Sequence, residues 1–282
     1  MSDSYSLKDR LILFGTIIIM SLTVFNRNTE AGEETTKIST MLSEEDVREN
    51  GQGLSDGKLA IYEACVYAMK ESPDSYVMLD LPAAKDDLGE AYKAFEYDYP
   101  EADIRAENVV IAVNKDDNII GIKPSIIEYP DKDYDFEFPG LTSDTALGIF
   151  KFVKQQCFYT KDPEAFPGVV NSAYALYLKD GEMVCEGYAK LYKILLDKAG
   201  IPNRIVVSEN MGHAWNIVWL EEEGRWVECD PTWDDSWAEK VWTYDQYGED
   251  RPVFLFGLTT EEMEERHGFK RYDYCDNIPV AE

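Results

Sequence analysis

The sequence predicts an α+β fold, a helix packed on an antiparallel sheet, and three stretches carry that expectation. Tyr188, Leu191, Tyr192, Leu195, Leu196 and Ala199 recur with a helical period, and Gly200 before Ile201-Pro202 is a stop signal. Cys185 falls at or just before the first turn of that helix. His213–Leu220 and Arg225–Cys229 are rich in β-branched and aromatic residues, as strands are. The polar Glu221-Glu222-Glu223-Gly224 between them makes the two strands a hairpin. A chain of 282 residues can bury one good core with a smaller appended region.

From the N-terminus, Leu11–Phe25 is an unbroken apolar run after Lys8 and Arg10, short for a membrane span and the right size for a signal-peptide core. Residues 1–30 are therefore expected to be a signal peptide or N-terminal anchor, which predicts a secreted or membrane-anchored, extracytoplasmic protein. Residues 31–55 are polar and read as a linker with one short helix near Ser43–Glu49, capped by Ser43. Residues 56–134 form an N-terminal α/β region. Lys58–Lys70 is its first helix, with Leu59, Tyr62, Val66 and Met69 on one face, and Ala84–Glu96 its second. Val109–Val113 and Ile119–Ile122 flank Asn114-Lys115-Asp116-Asp117-Asn118 as a hairpin. Residues 135–282 are the expected catalytic domain, opening with a helix over Leu141–Tyr159 whose inner face carries Leu147, Phe150, Val153, Lys154 and Cys157.

Cys185, His213 and Asp230 are the candidate catalytic residues. Free N–H groups and the dipole at a helix N-terminus favour negative charge on a thiol there, and those N–H groups can hold an oxyanion. His213 opens one strand and Asp230 follows the other, 17 residues on, so the two stand near each other at one end of the ladder. A one-residue slip in register would turn one of them away, and the sequence leaves that register open. Singly, each residue has a plainer reading: a small buried hydrophobe, a strand-end histidine, a cap before Pro231. Together, in the order Cys–His–Asp, they supply a nucleophile, a base and the carboxylate that orients the base.

The motifs V-C-E-G-Y-A-K, A-G-I-P-N-R, G-H-A-W-N and D-P-T-W-D-D resemble the transglutaminase-like superfamily of papain-related cysteine enzymes, and Phe254–Phe269 is similar to the closing segment of bacterial members. Asp98-Tyr99-Pro100-Glu101 resembles, more loosely, a segment that opens a strand pair in the pre-domain of some of them. The resemblance implies a papain-like core with Cys185 as nucleophile, His213 as general base and acid, and Asp230 as orienting carboxylate. The reaction it implies is acyl transfer from a peptide or protein amide through a thioester, ending in hydrolysis or in a lysine cross-link. The alternative is a non-catalytic surface-binding or scaffold module on the same fold. Many animal relatives carry a tryptophan upstream of the cysteine; here all six tryptophans follow Cys185, so the second oxyanion donor is unassigned.

Composition narrows the partners. A net charge of −28 argues against nucleic acid and for attraction of cations. Glu221–Glu223, Asp234, Asp235, Glu239 and Asp245 flank the two strands, which favours a lysine-bearing substrate, and the stretch from Trp233 to Tyr247 is a candidate cleft wall. No cofactor is expected, because two histidines offer no zinc spacing and neither a calcium loop nor a Gly-rich phosphate loop is present. Five cysteines exclude a dense disulfide framework, and Cys65, Cys157 and Cys229 read as core. His267, at the end of a helical run over Thr260–Arg266, is assigned a structural place at the negative end of the helix dipole.

Overall fold

The computed structural model describes residues 37–71, 76–102, 109–124, 144–160, 162, 168–208, 210–235 and 253–282. The apolar run Leu11–Phe25 and the acids Glu239 and Asp245 lie outside them. The described residues fall into two compact units. One holds those up to 124 together with 274–278; the other holds 144–273 and 279–282. No helix among the described residues is long and apolar enough to cross a membrane.

In the first unit, α1 (Glu49–Gln52), α2 (Asp56–Glu71) and α3 (Asp87–Asp98) accompany a three-stranded antiparallel sheet of β1 (Val77–Ala83), β2 (Val110–Val113) and β3 (Ile119–Lys123). The strand order is β1-β3-β2. The β2–β3 hairpin turns where its composition places it. β1 carries Pro82, which an edge strand tolerates: it lies between Met78 and Ala83, where the register shifts and no ladder donor is needed. The buried face of α2 is Ala60, Ile61, Tyr62, Ala64, Cys65, Val66 and Ala68, so the expected stripe is turned and Leu59 and Met69 are only half-buried.

The expected linker is mostly exposed in its described part but is anchored at Asn50 and Gly51. Asp98, 3 % exposed at the end of α3, accepts the N–H groups of Asn50 (3.1 Å) and Gly51 (3.0 Å) and the Tyr62 hydroxyl (2.8 Å). Asp98 is the last residue of α3, and the β2–β3 pair is the next element described. Ser43 does cap a turn, but a short 3-10 one over Glu44–Asp46.

The second unit is built around one helix. It comprises α4 (Ala146–Gln156), β4 (Phe158–Tyr159), α5 (Ala175–Leu178), β5 (Glu182–Met183), α6 (Cys185–Lys198), β6 (Asn203–Ser208), β7 (His213–Leu220), β8 (Arg225–Cys229), β9 (Phe256–Leu258) and α7 (Thr260–His267). The periodicity predicts one apolar face for α6, yet its burial runs from Cys185 to Leu196 with only Glu186 partly open, because α4 packs on one side and the sheet on another. Phe150 of α4 meets Tyr192 edge-on at 5.8 Å, and the Tyr192 hydroxyl donates to the carbonyl of Ala146 (2.9 Å). Asn216 of β7 ties the sheet to the helix by donating to the carbonyl of Ala189 (3.0 Å).

β6, β7, β8 and β9 form an antiparallel sheet in that order. Val218, Val227 and Cys229 join the core that α6 and α4 build. Alternation turns His213, Trp215 and Glu228 to the other side, where α7 lies. Both faces are therefore covered, which explains why β7 is buried over six consecutive residues rather than at alternate ones.

Lys154, expected on the inner face of its helix, makes a buried ion pair with Asp234, each at most 3 % exposed. The other oxygen of Asp234 accepts the N–H groups of Phe254 (2.6 Å) and Leu255 (2.5 Å). Removing one partner of such a pair strands the other charge in the core. Lys154→Met is expected to destabilise the fold by about 3–5 kcal/mol in urea denaturation. A loss below about 1 kcal/mol would show that the pair is solvated in solution.

Candidate active site

Cys185 is the first residue of α6, after an extended Val184. The approach to it is tightly packed. Gly181 has φ +90°, and a Cβ there would meet the carbonyl oxygen of Gln156 at 2.1 Å. A Cβ on Gly187 would meet the carbonyl oxygen of Val170 at 2.8 Å, so the glycine of the C-E-G-Y motif lets that turn close over the helix start. Glu186 accepts from Asn171 (2.7 Å) and pairs with Lys190 (3.2 Å), anchoring the first turn. Tyr159 of β4 pairs with Met183 in a two-stranded parallel sheet that leads into Cys185.

The hairpin register settles what the sequence left open. His213 pairs with Ser208 on β6, Asn216 with Cys229 on β8, and His213 Nε2 stands 2.6 Å from Asp230 Oδ2. Cys185 lies near enough to the same imidazole to favour its charged form. The structure therefore brings all three sequence-predicted residues together, each at most 3 % exposed.

Asp230 does two jobs at once. Its Oδ1 accepts the N–H groups of Thr232 and Trp233, both at 3.0 Å, capping the helical turn over 231–235, and Pro231 fits the first position of that turn. Its Oδ2 accepts from His213 and also from Nε2 of His267, 2.9 Å away. His267 is thus part of the site, and its assignment to helix-end electrostatics alone is corrected. A signal was present in the sequence: Met263 and His267 lie four residues apart, hence on one face of α7, and that face is the buried one.

Aromatic rings close around the two histidines. Trp215 stacks on His213 at 5.7 Å and 20°, and Trp233 lies 5.6 Å from His213. Trp215 and Trp233 each meet His267 edge-on at 4.8 Å. The Trp215 indole N–H donates to Glu228, which also accepts from Thr260 (2.7 Å) and Arg271 (3.2 Å). These tryptophans pack on His213 and His267, and both follow Cys185 in the chain.

The charges follow from the contacts. Burial opposes a charge on His213, but the facing charges of Asp230 and Cys185, with their hydrogen bonds, outweigh it and hold His213 at about 10, above its ordinary 6.5. Burial would raise Asp230, yet the charge and bond of His213 and the bond from His267 hold it well below the carboxylate range. Burial pushes the thiols of Cys65, Cys157 and Cys229 upward, and none of the five cysteines forms a disulfide.

Among the described residues, His213, Asp230 and His267 are the one group able to embrace a metal ion, with ligand atoms within 4.8 Å of one another. Tetrahedral ligands about 2.1 Å from zinc stand roughly 3.4 Å apart. The two nitrogens lie closer than that to the shared oxygen, at hydrogen-bond distance.

The acids expected to attract a lysine prove structural in part. Asp234 is neutralised by Lys154, and Asp235, 4 % exposed, accepts from the Tyr188 hydroxyl (3.1 Å). Glu221–Glu223 sit at the turn of the hairpin, the end opposite His213.

A helix-borne thiol, a strand-borne imidazole and a buried carboxylate are the arrangement expected of the resemblance, and residues 138–231, which hold all three, match the model of the transglutaminase-like superfamily. This segment is transglutaminase-like. The chain is also 33 % identical over 66 residues to a peptide-N(4)-(N-acetyl-beta-glucosaminyl)asparagine amidase of Caenorhabditis briggsae. That match covers 23 % of this chain and about a tenth of the relative. The transglutaminase-like match stops at residue 231, short of His267.

A folded-state pKa raised from 6.5 to about 10 contributes stability that is fully present below pH 6.5 and is lost as pH rises through 10. Wild type should therefore lose stability progressively between those values, whereas His213→Gln should show a flatter profile over the same range. Thermal unfolding at successive pH values measures this. Parallel profiles for the two proteins would refute the ion pair.

Proposed function

We propose that this chain is a cysteine-dependent acyltransferase acting on peptide or protein amides. The supporting observation is a buried imidazole, His213, bonded to the Asp230 carboxylate at 2.6 Å and near enough to Cys185 for the thiolate to favour its charge. Proton transfer from Cys185 to His213 leaves a thiolate beside an imidazolium that Asp230 stabilises. The sulfur forms a bond to the amide carbon, and the carbonyl electrons move to oxygen. The backbone N–H of Cys185, at the unpaired start of α6, is one donor for that oxyanion. His213 gives its proton to the amide nitrogen, the C–N bond breaks and the amine leaves, with the acyl group on Cys185 as a thioester. Water, deprotonated by His213, then attacks the same carbon and releases acid and thiolate. An amine in place of water gives a new amide.

The Caenorhabditis briggsae relative is named as an amidase, which supports water as the acceptor. A lysine acceptor loses support from Asp234 and Asp235, whose charges are engaged inside the fold. The reading includes an extracytoplasmic location, supported by Leu11–Phe25. Cell fractionation with N-terminal sequencing of the mature chain tests it, and full-length protein in the cytosol overturns it.

Peptide libraries incubated with the enzyme, with and without an added amine, followed by mass spectrometry, will show both the substrate and the acceptor. Cys185→Ala and His213→Ala should each lower kcat/KM by about a thousandfold or more, and the double variant should be little worse than either, since triad members act as a unit. Asp230→Ala should also lower stability, because it strips a helix cap and leaves buried donors unmet. A neutral-pH alkylating reagent should label Cys185 ahead of Cys65, Cys157 and Cys229. Turnover that survives Cys185→Ala rules the proposal out.

A further inference from the structure

Asp230 orients His213, and an orienting group must itself be held by something other than its client. Its Oδ1 is held by two backbone N–H groups. Its Oδ2 has two partners, His213 and His267. We propose that His267 is a positioning residue of this site, its Nε2–H being the second donor that fixes the Asp230 oxygen on which His213 turns. The inference rests on reading Cys185, His213 and Asp230 as a triad.

Two observations beyond the 2.9 Å contact support it. First, the His267 ring is wedged: Trp215 and Trp233 flank it at 4.8 Å each, and α7 ends immediately after it at Gly268, φ 73°, whose N–H donates to the carbonyl of Glu264 (2.8 Å). Second, Nδ1 of His267 is buried without a hydrogen-bond partner. A hydrogen on that nitrogen would be an unmet buried donor, and a bare Nε2 would face the carboxylate lone pair to lone pair. The tautomer with hydrogen on Nε2 avoids both.

The consequence concerns how strongly Asp230, bonded at Nε2, stabilises the charged form of His213. An oxygen that serves two donors binds each less tightly than it would bind one. His213 must give that ring's proton to a leaving amine, so a carboxylate with no other partner would hold the imidazolium too well. The groups that face His213 are the Asp230 carboxylate beyond β8, the Cys185 thiol on α6, His267 on α7 and the Trp215 ring on β7. Behind Trp215 stands Glu228 of β8, paired with Arg271.

Two substitutions separate the N–H from the ring. His267→Phe keeps a ring between the tryptophans and deletes the donor; His267→Gln keeps an amide N–H at similar reach and deletes the ring. We expect His267→Phe to lower kcat by about 10- to 100-fold with KM little changed, as loss of an outer-shell partner does. His267→Gln should stay within about threefold of wild type on the same scale. The chain has two histidines, so ¹⁵N ring spectra of the full-length protein resolve each one. They should show hydrogen on Nε2 of His267, and a His213 deprotonation midpoint that rises in the Phe variant and returns in the Gln variant. The reverse order, with Phe like wild type and Gln impaired, would make the ring mere packing and overturn the proposal. So would two wild-type-like variants, or hydrogen on Nδ1 of His267 in the wild type, a result that needs no variant. A wild type that turns over no amide would sink the proposed activity, while the ring titration would still decide the role of His267.

Discussion

The Asp230 carboxylate is the point on which the second unit depends. It is fully buried, and a buried charge persists only where donors surround it. Backbone groups of Thr232 and Trp233 take one oxygen, His213 and His267 the other. Those four contacts set where β8 ends, where the turn over 231–235 begins, which way the ring at the start of β7 faces and where α7 must dock. The chemistry and the architecture share one side chain.

Two other buried acids repeat the principle around it. Asp234 holds Lys154 of α4 and the backbone leading into β9; Glu228 holds Trp215, Thr260 and Arg271. In a chain of net charge −28 these acids do not add to an external field, because their charges are spent on fixed donors inside the fold. The −28 describes the surface, while the site is governed by a few neutralised pairs. Such pairs give little net stability compared with apolar packing, but they fix which element meets which.

His213 stands between two demands. In the proposed reaction its charge must be stable enough for the thiol to surrender a proton, and labile enough for that proton to leave with an amine. Cys185 and Asp230 satisfy the first against the opposing effect of burial. The packing of Trp215 and Trp233 keeps the ring from turning toward another partner.

Local signals in the sequence were sufficient for much of this. The period from Tyr188 to Ala199 placed α6, the composition around Glu221–Gly224 placed the hairpin, and the spaced motifs pointed to Cys185, His213 and Asp230, because helix period, turn chemistry and caps are properties of neighbouring residues. Elements shaped by distant contacts were read less well: β1 through its proline, the packed segment around Asn50 held by Asp98, and the nearly all-round burial of α6. The tertiary structure alone decided the register that turns His213 onto Asp230, the neutralisation of Asp234 by Lys154, and the arrival of His267 from 37 residues beyond Asp230. A contact between residues so far apart leaves no periodic trace along the chain. It exists only once α7 has packed on the face of the sheet that Trp215 and Asp230 share.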